Sequence, residues 1–335
     1  MSTPSLSLDK ELAVAGHLRT GKLSQEKIAR MCGVSRGTVS NVKKRMPAEP
    51  VLQSDKAVGD FNWQEWSEWV KDGQKLRKKA SSSQTHAKIT LGDGTKPVIL
   101  AMLGDLHLGS WGVDYEKLET ITAEIKQTAG LYIALMGDLV EMAIKMRSVL
   151  EVVGQVLTPE QQLQFLESWI EEIAPKVAFS VWCNHAVERE EKASGISSVK
   201  NLLNKRSVYF NGIGHADITV GEQLYKIAAS HKFRGGSVFD ATAGPKRYMR
   251  LEAHDREIAL QGDLHRPGIS SYVEGGEHKV AMTSSTLQLA SSYAQRYFSL
   301  KTWPVFPCLV LRHDRHEKIP FWSLQDALAY VDGAK

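Results

Sequence analysis

The sequence predicts a mixed α/β protein in which two packed β-sheets are flanked by helices, with a small all-α domain at the N-terminus. The first observation is an alternation of apolar, strand-like runs with amphipathic helical patterns between residues 96 and 190. The second is a series of shorter, hairpin-like runs between residues 216 and 286. The third is a helical pattern around a tight turn in residues 1–46. Alternating strands and helices that continue into hairpins are typical of an α/β domain with two sheets.

The composition excludes several classes of protein. Apolar residues make up 42% and charged residues 24% of the 335 positions, which is typical of a globular protein. No apolar run reaches the ~18–20 residues of a membrane helix, and the first residues lack the pattern of a secretion signal. The three cysteines are widely spaced, which argues against a disulfide framework. We therefore expect a cytoplasmic protein that has no membrane partner.

Basic residues are concentrated at the N-terminus. Residues 1–46 hold nine Lys or Arg and three acidic residues, a net charge of +6, whereas the whole chain carries +4. Within this segment, LSQEKIARMCGVSRGTVSNVKKRM predicts two short helices around a turn. Ser24 and Ser35 are suited to cap these helices, and Gly33 is suited to the turn because glycine adopts positive φ without strain. The excess of positive charge indicates a polyanionic partner.

The same pattern resembles helix-turn-helix DNA-binding domains, in which the second helix lies in the major groove. The resemblance implies a DNA-binding domain over residues 1–46 that contacts DNA through the outward side chains of its second helix. Those side chains are Arg36, Thr38, Asn41, Lys43 and Lys44. The alternative is a solvated helical hairpin that binds a protein or has no partner.

Residues 47–95 are predicted to be a linker that contains one tryptophan-rich helix. Two prolines and a glycine without periodicity mark the start of this segment, over residues 47–60. Trp63, Trp66 and Val70 then recur at helical spacing, and Asn62 is suited to cap that helix. We expect the helix either to dock its tryptophans on the main domain or, with the basic run that follows, to contact nucleic acid.

Residues 96–335 form the predicted main domain, in which polar side chains follow five strands. In chain order these side chains are Asp105 and His107, Asp138, Asn184 and His185, His231, and Asp263 and His265. Open α/β sheets place their ligands beyond the carboxyl ends of strands. A single Asp after a strand is usually a turn former and a single His is usually structural. Five such ends in succession indicate a metal centre instead.

The order of these residues resembles the calcineurin-like metallophosphoesterase family over about residues 97–325. The motifs of that family run Asp-x-His, Gly-Asp, Gly-Asn-His followed by an acid, a lone His, and Gly-His-x-His. This chain departs from them at three positions. Cys183 replaces the glycine before the asparagine, Ala186 replaces the acid, and Asp263 replaces a histidine.

The resemblance implies a two-sheet metallophosphoesterase fold with two divalent metal ions. The implied ligands of the first ion are Asp105, His107 and His265, and those of the second are Asn184, His231 and Asp263. Asp138 would bridge the two ions, and His185 would be the catalytic acid, oriented by Glu188 or Glu190. Mixed oxygen and nitrogen ligands favour Mn²⁺, with Fe²⁺, Zn²⁺ or Mg²⁺ as alternatives.

The expected function is a metal-dependent phosphodiesterase, a DNA nuclease brought to DNA by its helix-turn-helix. The resemblance is to the catalytic cores of DNA repair nucleases and to nuclease-like phosphoesterases of phages, which implies the cytoplasm of a bacterium or of a phage-infected host. A first alternative is a phosphatase that acts on proteins or small phosphomonoesters. A second is a DNA-binding regulator without enzymatic activity, whose metal site is vestigial. DNA is the expected partner, and the sequence leaves a homodimer open.

Overall fold

The computed structural model describes residues 10, 13–14, 17–18, 23–45, 61–80, 84–144, 152–289 and 305–333. The chain divides into two compact units, Met1–Ser82 and Ser83–Lys335. The second unit therefore begins inside the segment that the sequence predicts as a linker. Within the described ranges, no helix combines the length and the hydropathy needed to cross a membrane.

The first unit contains a helical hairpin formed by α1 (Gln25–Cys32) and α2 (Arg36–Arg45). Ile28, Val39 and Val42 pack together in its small apolar core, which also includes the helical residue Val14. Ile28 and Cys32 are four residues apart on α1, and Val39 and Val42 are three residues apart on α2, so one face of each helix is apolar.

The caps predicted for this hairpin are confirmed. The Ser24 side chain accepts a hydrogen bond from the Lys27 N–H, and the Ser35 hydroxyl accepts one from the Thr38 N–H. Gly33 has a φ of 60°, and its N–H donates to carbonyl groups at the end of α1. A side chain with a Cβ would be strained in this left-handed conformation, which explains the glycine in the turn.

The helix α3 (Trp63–Ala80) has the predicted cap as well. The Asn62 side chain accepts hydrogen bonds from the N–H groups of Gln64 and Glu65, and the Glu65 carboxylate accepts one from the Asn62 N–H. These reciprocal bonds satisfy N–H groups that the first turn of a helix leaves without partners.

The second unit contains two six-stranded sheets flanked by helices, so the predicted fold class is confirmed for the described residues. The strands of the first sheet, in spatial order, are β12 (Lys318–Phe321), β11 (Cys308–Leu311), β2 (Val98–Leu103), β3 (Leu131–Leu135), β4 (Val177–Val181) and β5 (Val208–Phe210). Those of the second sheet are β1 (His86–Thr90), β6 (Gly214–Val220), β7 (Gln223–Ser230), β8 (Ile258–Gln261), β10 (Glu277–Thr283) and β9 (Gly268–Glu274). The helices are α4 (Tyr115–Gln127), α5 (Pro159–Ile173), α6 (Arg189–Ser194), α7 (Ser198–Arg206), α8 (Ala243–Leu251) and α9 (Leu324–Gly333).

The main core of this unit lies between the two sheets. Leu100 and Met102 of β2 pack there with Ile227 and Leu260 of the second sheet. The opposite face of the first sheet packs against α4, α5, α7 and α9, so every residue of β2 is buried. A strand covered on both faces requires a continuous apolar run, which the sequence VILAML supplies.

Both sheets contain a run of adjacent parallel strands. In the first sheet these are β2, β3, β4 and β5, and in the second they are β7, β8 and β10. The carboxyl ends of parallel strands lie at the same edge of their sheet. The segments that follow these strands carry the polar side chains of the predicted centre.

Strand β1 differs from the sequence prediction, which placed its residues in the linker. It pairs in parallel with β6, from His86 beside His215 to Thr90 beside Thr219. Of its five residues only Ala87 is buried, because β1 lies at the edge of its sheet. An edge strand with one buried residue has no apolar run by which the sequence would reveal it.

Candidate metal centre

The strand ends bring the predicted side chains into one cluster. In the part of the chain that the structure describes, three overlapping groups place candidate ligand atoms within 4.8 Å of one another. The groups are Asp105, His107 and His265; Asp105, Asp138 and His231; and His107, Glu141 and His185. Most of the predicted ligands therefore lie together, and Glu141 is a member that the sequence prediction missed.

The backbone of the cluster is held in an uncommon conformation. Among the described residues, the non-glycine positions with positive φ are Asp105, His107, Asp138, Met142, Asp263 and His265. Such a conformation costs on the order of 1–3 kcal/mol per residue and persists only where the surroundings impose it. Here the Asp105 N–H donates to the Gly137 carbonyl and the His107 N–H to the Asp138 carbonyl, which fixes two of the loops to each other. Concentrated backbone strain of this kind is typical of functional sites.

Two glycines explain why Gly-Asp recurs at the strand ends. A Cβ on Gly137 would lie 2.7 Å from the His231 Nδ1 atom and 2.8 Å from the Cys183 Cβ atom. A Cβ on Gly262 would lie 2.5 Å from the Met136 carbonyl oxygen. Side chains are excluded at both positions because the loops of the two sheets approach each other too closely.

The first group holds an oxygen and two imidazole nitrogens around one point. The Nε2 atoms of His107 and His265 lie 3.0 Å apart, and the His265 Nε2 atom is 3.7 Å from a carboxylate oxygen of Asp105. The Asp105 carboxylate accepts hydrogen bonds from the Ser284 hydroxyl and the Asp263 N–H, both at 3.1 Å. These bonds leave the side chain of Asp105 little freedom to turn away from the two histidines.

The second group is centred on His231, which is 1% exposed. Its Nδ1 atom lies 2.8 Å from the Met136 carbonyl oxygen, which accepts its hydrogen, so Nε2 is left for the cluster. The Nε2 atom is 2.8 Å from the Asn184 side-chain oxygen and 3.1 Å from Asp138. Asp138 also accepts a hydrogen bond from the His185 N–H at 3.0 Å. Asp138, His231 and Asn184, three of the four residues predicted for the second metal ion, therefore lie together.

Asp263, the fourth, lies at the edge of the group. Its carboxylate is 3.9 Å from the His231 Nε2 atom and forms an ion pair with Lys232 at 2.7 Å. Lys232 is largely exposed, whereas Asp263 is mostly buried. Asp263 is therefore placed to reach a cation beside His231, but the ion pair with Lys232 partly neutralises its carboxylate.

The third group depends on Glu141, which lies in the loop after β3. Its carboxylate is 2.8 Å from the His107 Nδ1 atom, 3.4 Å from the His185 Nδ1 atom and 3.1 Å from Arg189. Burial acts to raise the pKa of Glu141, but His107 and His185 outweigh it and hold this pKa well below its usual range. A charged Glu141 therefore fixes the orientation of the His107 imidazole and lies within ion-pair distance of the His185 imidazole. The segment Gly137–Asp138–Leu139–Val140–Glu141 already placed an acid close to a predicted ligand, which was the available signal.

The prediction that Glu188 or Glu190 orients His185 is wrong. Glu188 forms an ion pair with Lys192, and Glu190 accepts hydrogen bonds from the N–H groups at the start of α7. Asn184–Glu188 forms a π-helical turn that leads directly into α6. Glu188 and Glu190 therefore stabilise these helices. The acid that lies beside His185 is Glu141, in the loop after the neighbouring strand β3.

Cys183 is compatible with the turn that it begins. Its φ of −145° is an extended conformation that any residue adopts, so the glycine of the family motif is not required here. The thiol is buried, and burial raises its pKa far above the usual range. Such a thiol remains protonated and is a poor nucleophile or ligand.

The electrostatics of the cluster fit bound cations. Asp105 is fully buried, and burial raises its pKa to about 7 although His231 and His107 act against the rise. The protein's own groups therefore compensate its charge poorly, and a cation would do so. Burial and the neighbouring His107 lower the pKa of His265 to about 3, so its ring is neutral and retains a lone pair for a metal ion. Carboxylate and imidazole donors together suit Mn²⁺, Fe²⁺ or Zn²⁺.

The predicted DNA-binding residues lie in the first unit, on α2. The exposed ones are Arg36, Asn41, Lys43 and Lys44. Thr38 is half-buried, and its hydroxyl lies 2.9 Å from that of Ser35. Arg36 forms an exposed ion pair with Glu26 at 3.1 Å. The face of α2 that the sequence predicts to meet DNA is thus mainly basic and accessible.

Comparison with known proteins gives distant structural similarity. No family model matches the chain, and no curated protein matches it. Vps29 of Entamoeba histolytica in complex with zinc is 11% identical, with 67% of this chain and 97% of that one covered and a TM-score of 0.32. A conserved uncharacterized protein of Streptococcus pneumoniae, described as a predicted phosphoesterase, is 13% identical, with 68% and 98% covered and a TM-score of 0.32. The nuclease MPE of Pseudomonas putida is 10% identical, with 66% and 87% covered and a TM-score of 0.29. These values are too low to support a conclusion about activity.

Proposed function

We propose that this protein is a two-metal-dependent phosphodiesterase that acts on DNA. The observation that carries the proposal is the convergence of Asp, His and Asn side chains from five strand ends on one buried cluster. Five of these residues have positive φ, and His107 and His231 are oriented by hydrogen bonds, as expected for a preorganised site. The order of these residues along the chain also matches the metallophosphoesterase motifs.

In this proposal the cluster holds two cations. The ligands of the first are Asp105, His107 and His265, and those of the second are Asn184, His231 and Asp263. Asp138 is the shared ligand, since it contacts His231 and lies in a group with Asp105. Two bound cations would supply positive charge that stabilises the transition state of phosphodiester hydrolysis, and they would make a water molecule more acidic.

His185 is proposed to donate a proton to the leaving oxygen. Its Nδ1 atom faces the Glu141 carboxylate at 3.4 Å, so Glu141 can stabilise the protonated ring. An Arg189 guanidinium nitrogen lies 3.3 Å from its Nε2 atom, so a positive charge that would attract a phosphate lies beside the ring. His185 is partly exposed, with 23% of its side chain accessible, as a group that contacts substrate must be.

DNA is the proposed substrate because of the first unit. Residues 1–46 carry a net charge of +6, and the described cations of α2 are exposed. A DNA-binding unit on the same chain raises the local concentration of DNA phosphodiesters near the metal centre. This feature favours a nuclease over a phosphatase of small phosphomonoesters.

The first experiment compares hydrolysis of bis-(p-nitrophenyl) phosphate and p-nitrophenyl phosphate with added Mn²⁺ and again after chelation. We expect Mn²⁺-dependent turnover of the diester that exceeds turnover of the monoester, together with cleavage of plasmid or single-stranded DNA. Preference for the monoester would replace the nuclease with a phosphatase. An absence of turnover with Mn²⁺, Fe²⁺, Zn²⁺ or Mg²⁺ would support a regulator without activity.

The second experiment tests the DNA-binding unit through the triple variant Arg36→Ala, Lys43→Ala, Lys44→Ala. Duplex DNA affinity should fall, and each lost phosphate contact should flatten the slope of log K against log salt by about 0.9. Turnover of the small diester should remain at the wild-type value, since the metal centre lies in the second unit. An unchanged salt slope would refute DNA binding through α2.

A further inference from the structure

The loop between β7 and α8 exposes two large apolar side chains at its tip. Val238 is 81% exposed and Phe239 is 98% exposed, the most exposed large apolar side chain among the described residues. These two adjacent side chains form a small apolar surface at the tip of the loop. The role of this tip is not explained by the fold or by the metal centre.

The loop is fixed at both of its ends. Phe233 is buried and stacks on Tyr248 of α8, with ring centroids 4.6 Å apart. At the other end, the Asp240 carboxylate accepts hydrogen bonds from the N–H and hydroxyl of Thr242, the residue just before α8. Because contacts fix both ends of the loop, the Phe239 ring extends into solvent at its tip.

The loop is also tied to the metal centre. Lys232, which follows His231, forms the ion pair with Asp263 at 2.7 Å. Arg266, which follows His265, donates a hydrogen bond to the Val238 carbonyl at 2.9 Å. The tip is therefore bonded to the residue next to a candidate metal ligand, and a chain that crosses the centre would pass close to it.

The surroundings of the tip are basic. Residues 231–250 contain five Lys or Arg and one acidic residue. Arg234 and Arg247 are exposed, and within the described ranges neither has a carboxylate within 4.0 Å. The Arg247 side chain lies against Gly235, where a Cβ would approach its Cδ atom to 2.3 Å. Two arginines thus carry charges beside the loop that no acidic side chain in the described part of the chain neutralises.

We propose that Phe239 stacks on a base of an unpaired DNA strand while Arg234 and Arg247 contact the phosphates of that strand. The inference rests on the proposed phosphodiesterase function and specifies its substrate as single-stranded or frayed DNA. An aromatic ring beside a basic groove is the usual means of binding single strands without sequence preference. Bases in a duplex are stacked on their neighbours, so their faces are not accessible to Phe239.

The test uses the full-length protein with a fluorescent hexathymidylate in chelator, so that cleavage does not occur. Phe239→Ala should weaken binding by about 5- to 150-fold, the range expected for one base–aromatic stack. Phe239→Trp should retain binding, whereas Phe239→Leu should behave as Phe239→Ala because leucine is apolar but has no ring. Val273→Ala is the matched control, since Val273 is 72% exposed on β9, and it should bind as the wild type does.

Two further measurements separate the outcomes. All Phe239 variants should bind an abasic oligonucleotide of the same length with equal affinity, and a loss there would overturn base stacking. They should also hydrolyse bis-(p-nitrophenyl) phosphate at the wild-type rate, because that diester has no base. Wild-type binding of hexathymidylate by Phe239→Ala would overturn the inference alone. A wild-type protein without diesterase activity whose binding still depends on Phe239 would overturn the proposed catalysis and leave the stacking intact.

If the tip instead binds a membrane or a second copy of the chain, the Phe239→Ala variant gives different results. If Phe239→Ala abolished binding to anionic phospholipid vesicles or dimerisation in sedimentation, and left hexathymidylate affinity unchanged, the tip would serve a membrane or a second copy of the chain. Either result would overturn the proposal.

Discussion

The chain contains Gly-Asp-Leu-His twice, at residues 104–107 and 262–265, in very different surroundings. In the first segment, Asp105 is fully buried and accepts two hydrogen bonds, and His107 is oriented by Glu141 at 2.8 Å. In the second segment, Asp263 is paired with an exposed lysine and His265 is 31% exposed. The same four residues thus form a rigid half and a more open half of one cluster.

The difference shows that neighbouring elements determine how firmly a ligand is held. Both segments follow central strands of their sheets, β2 and β8. The first is hydrogen-bonded through the N–H groups of Asp105 and His107 to the loop after β3. The second continues into a short turn whose Leu264 is only half-buried, whereas Leu106 is fully buried. We expect substitutions in the rigid half to cost more activity than those in the open half.

The largest expected effect is that of Asp138→Ala, because Asp138 is the proposed shared ligand of the two cations. Hydrolysis of the small diester should fall to background, and metal content measured by elemental analysis should fall with it. Wild-type turnover in this variant would refute a shared carboxylate.

The next largest effect is expected for His185→Ala. Loss of a general acid lowers the rate by about 10²- to 10⁴-fold, whereas metal content should be unchanged because His185 is proposed to act as an acid and not as a ligand. Kinetics and elemental analysis of the same preparation check both parts. A loss of metal would instead place His185 among the ligands, together with Glu141 and His107.

Glu141→Gln tests whether the charge of Glu141 helps to hold His107, a metal ligand in the rigid half, in place. Glutamine retains a hydrogen bond to His107 but loses the charge, and residues that orient metal ligands typically contribute 10- to 100-fold in metal affinity or activity. We expect a loss of about that size in Mn²⁺ affinity, measured by titration of activity. Glu188→Gln is the control, since Glu188 pairs with Lys192 on the surface and should leave the affinity unchanged. Equal effects of the two substitutions would remove the orienting role of Glu141.

The smallest effect is expected in the open half. Asp263→Ala should lower metal affinity by no more than about tenfold, the lower end of the range for supporting groups, and Asp263→His should restore it with a shift towards Zn²⁺ or Fe²⁺. Titration of activity with Mn²⁺, Zn²⁺ and Fe²⁺ measures both the affinity and the preference of each variant. Asp105→Ala is the matched substitution in the rigid half and should be far more damaging. If Asp263→Ala proved as damaging as Asp105→Ala, the two halves would be energetically equivalent.

Much of the fold and the centre follows from the sequence, because the relevant signals are local. The apolar run before Asp105 predicts a strand, and the Gly-Asp pair predicts the turn that ends it. The caps of Ser24 and Asn62 are likewise local, and all are confirmed. Strand β1 gave no such signal, since it is an edge strand with one buried residue.

The role of Glu141 could not be derived from the sequence for a physical reason. Glu188 and Glu190 are nearer to His185 along the chain, but the π-helical turn directs them towards Lys192 and the start of α7. Glu141 reaches His185 only because β3 and β4 are adjacent in the sheet. Contacts between adjacent strands depend on the arrangement of the sheet, which residue order alone does not specify.

The most direct test of the two-metal centre is X-ray diffraction at the manganese absorption edge from crystals of the protein grown with Mn²⁺. We predict two anomalous peaks about 4 Å apart. One should lie among Asp105, His107 and His265, the other beside His231 and Asn184, and Asp138 should contact both. A single peak, two peaks without a shared carboxylate, or peaks outside this cluster would contradict the account.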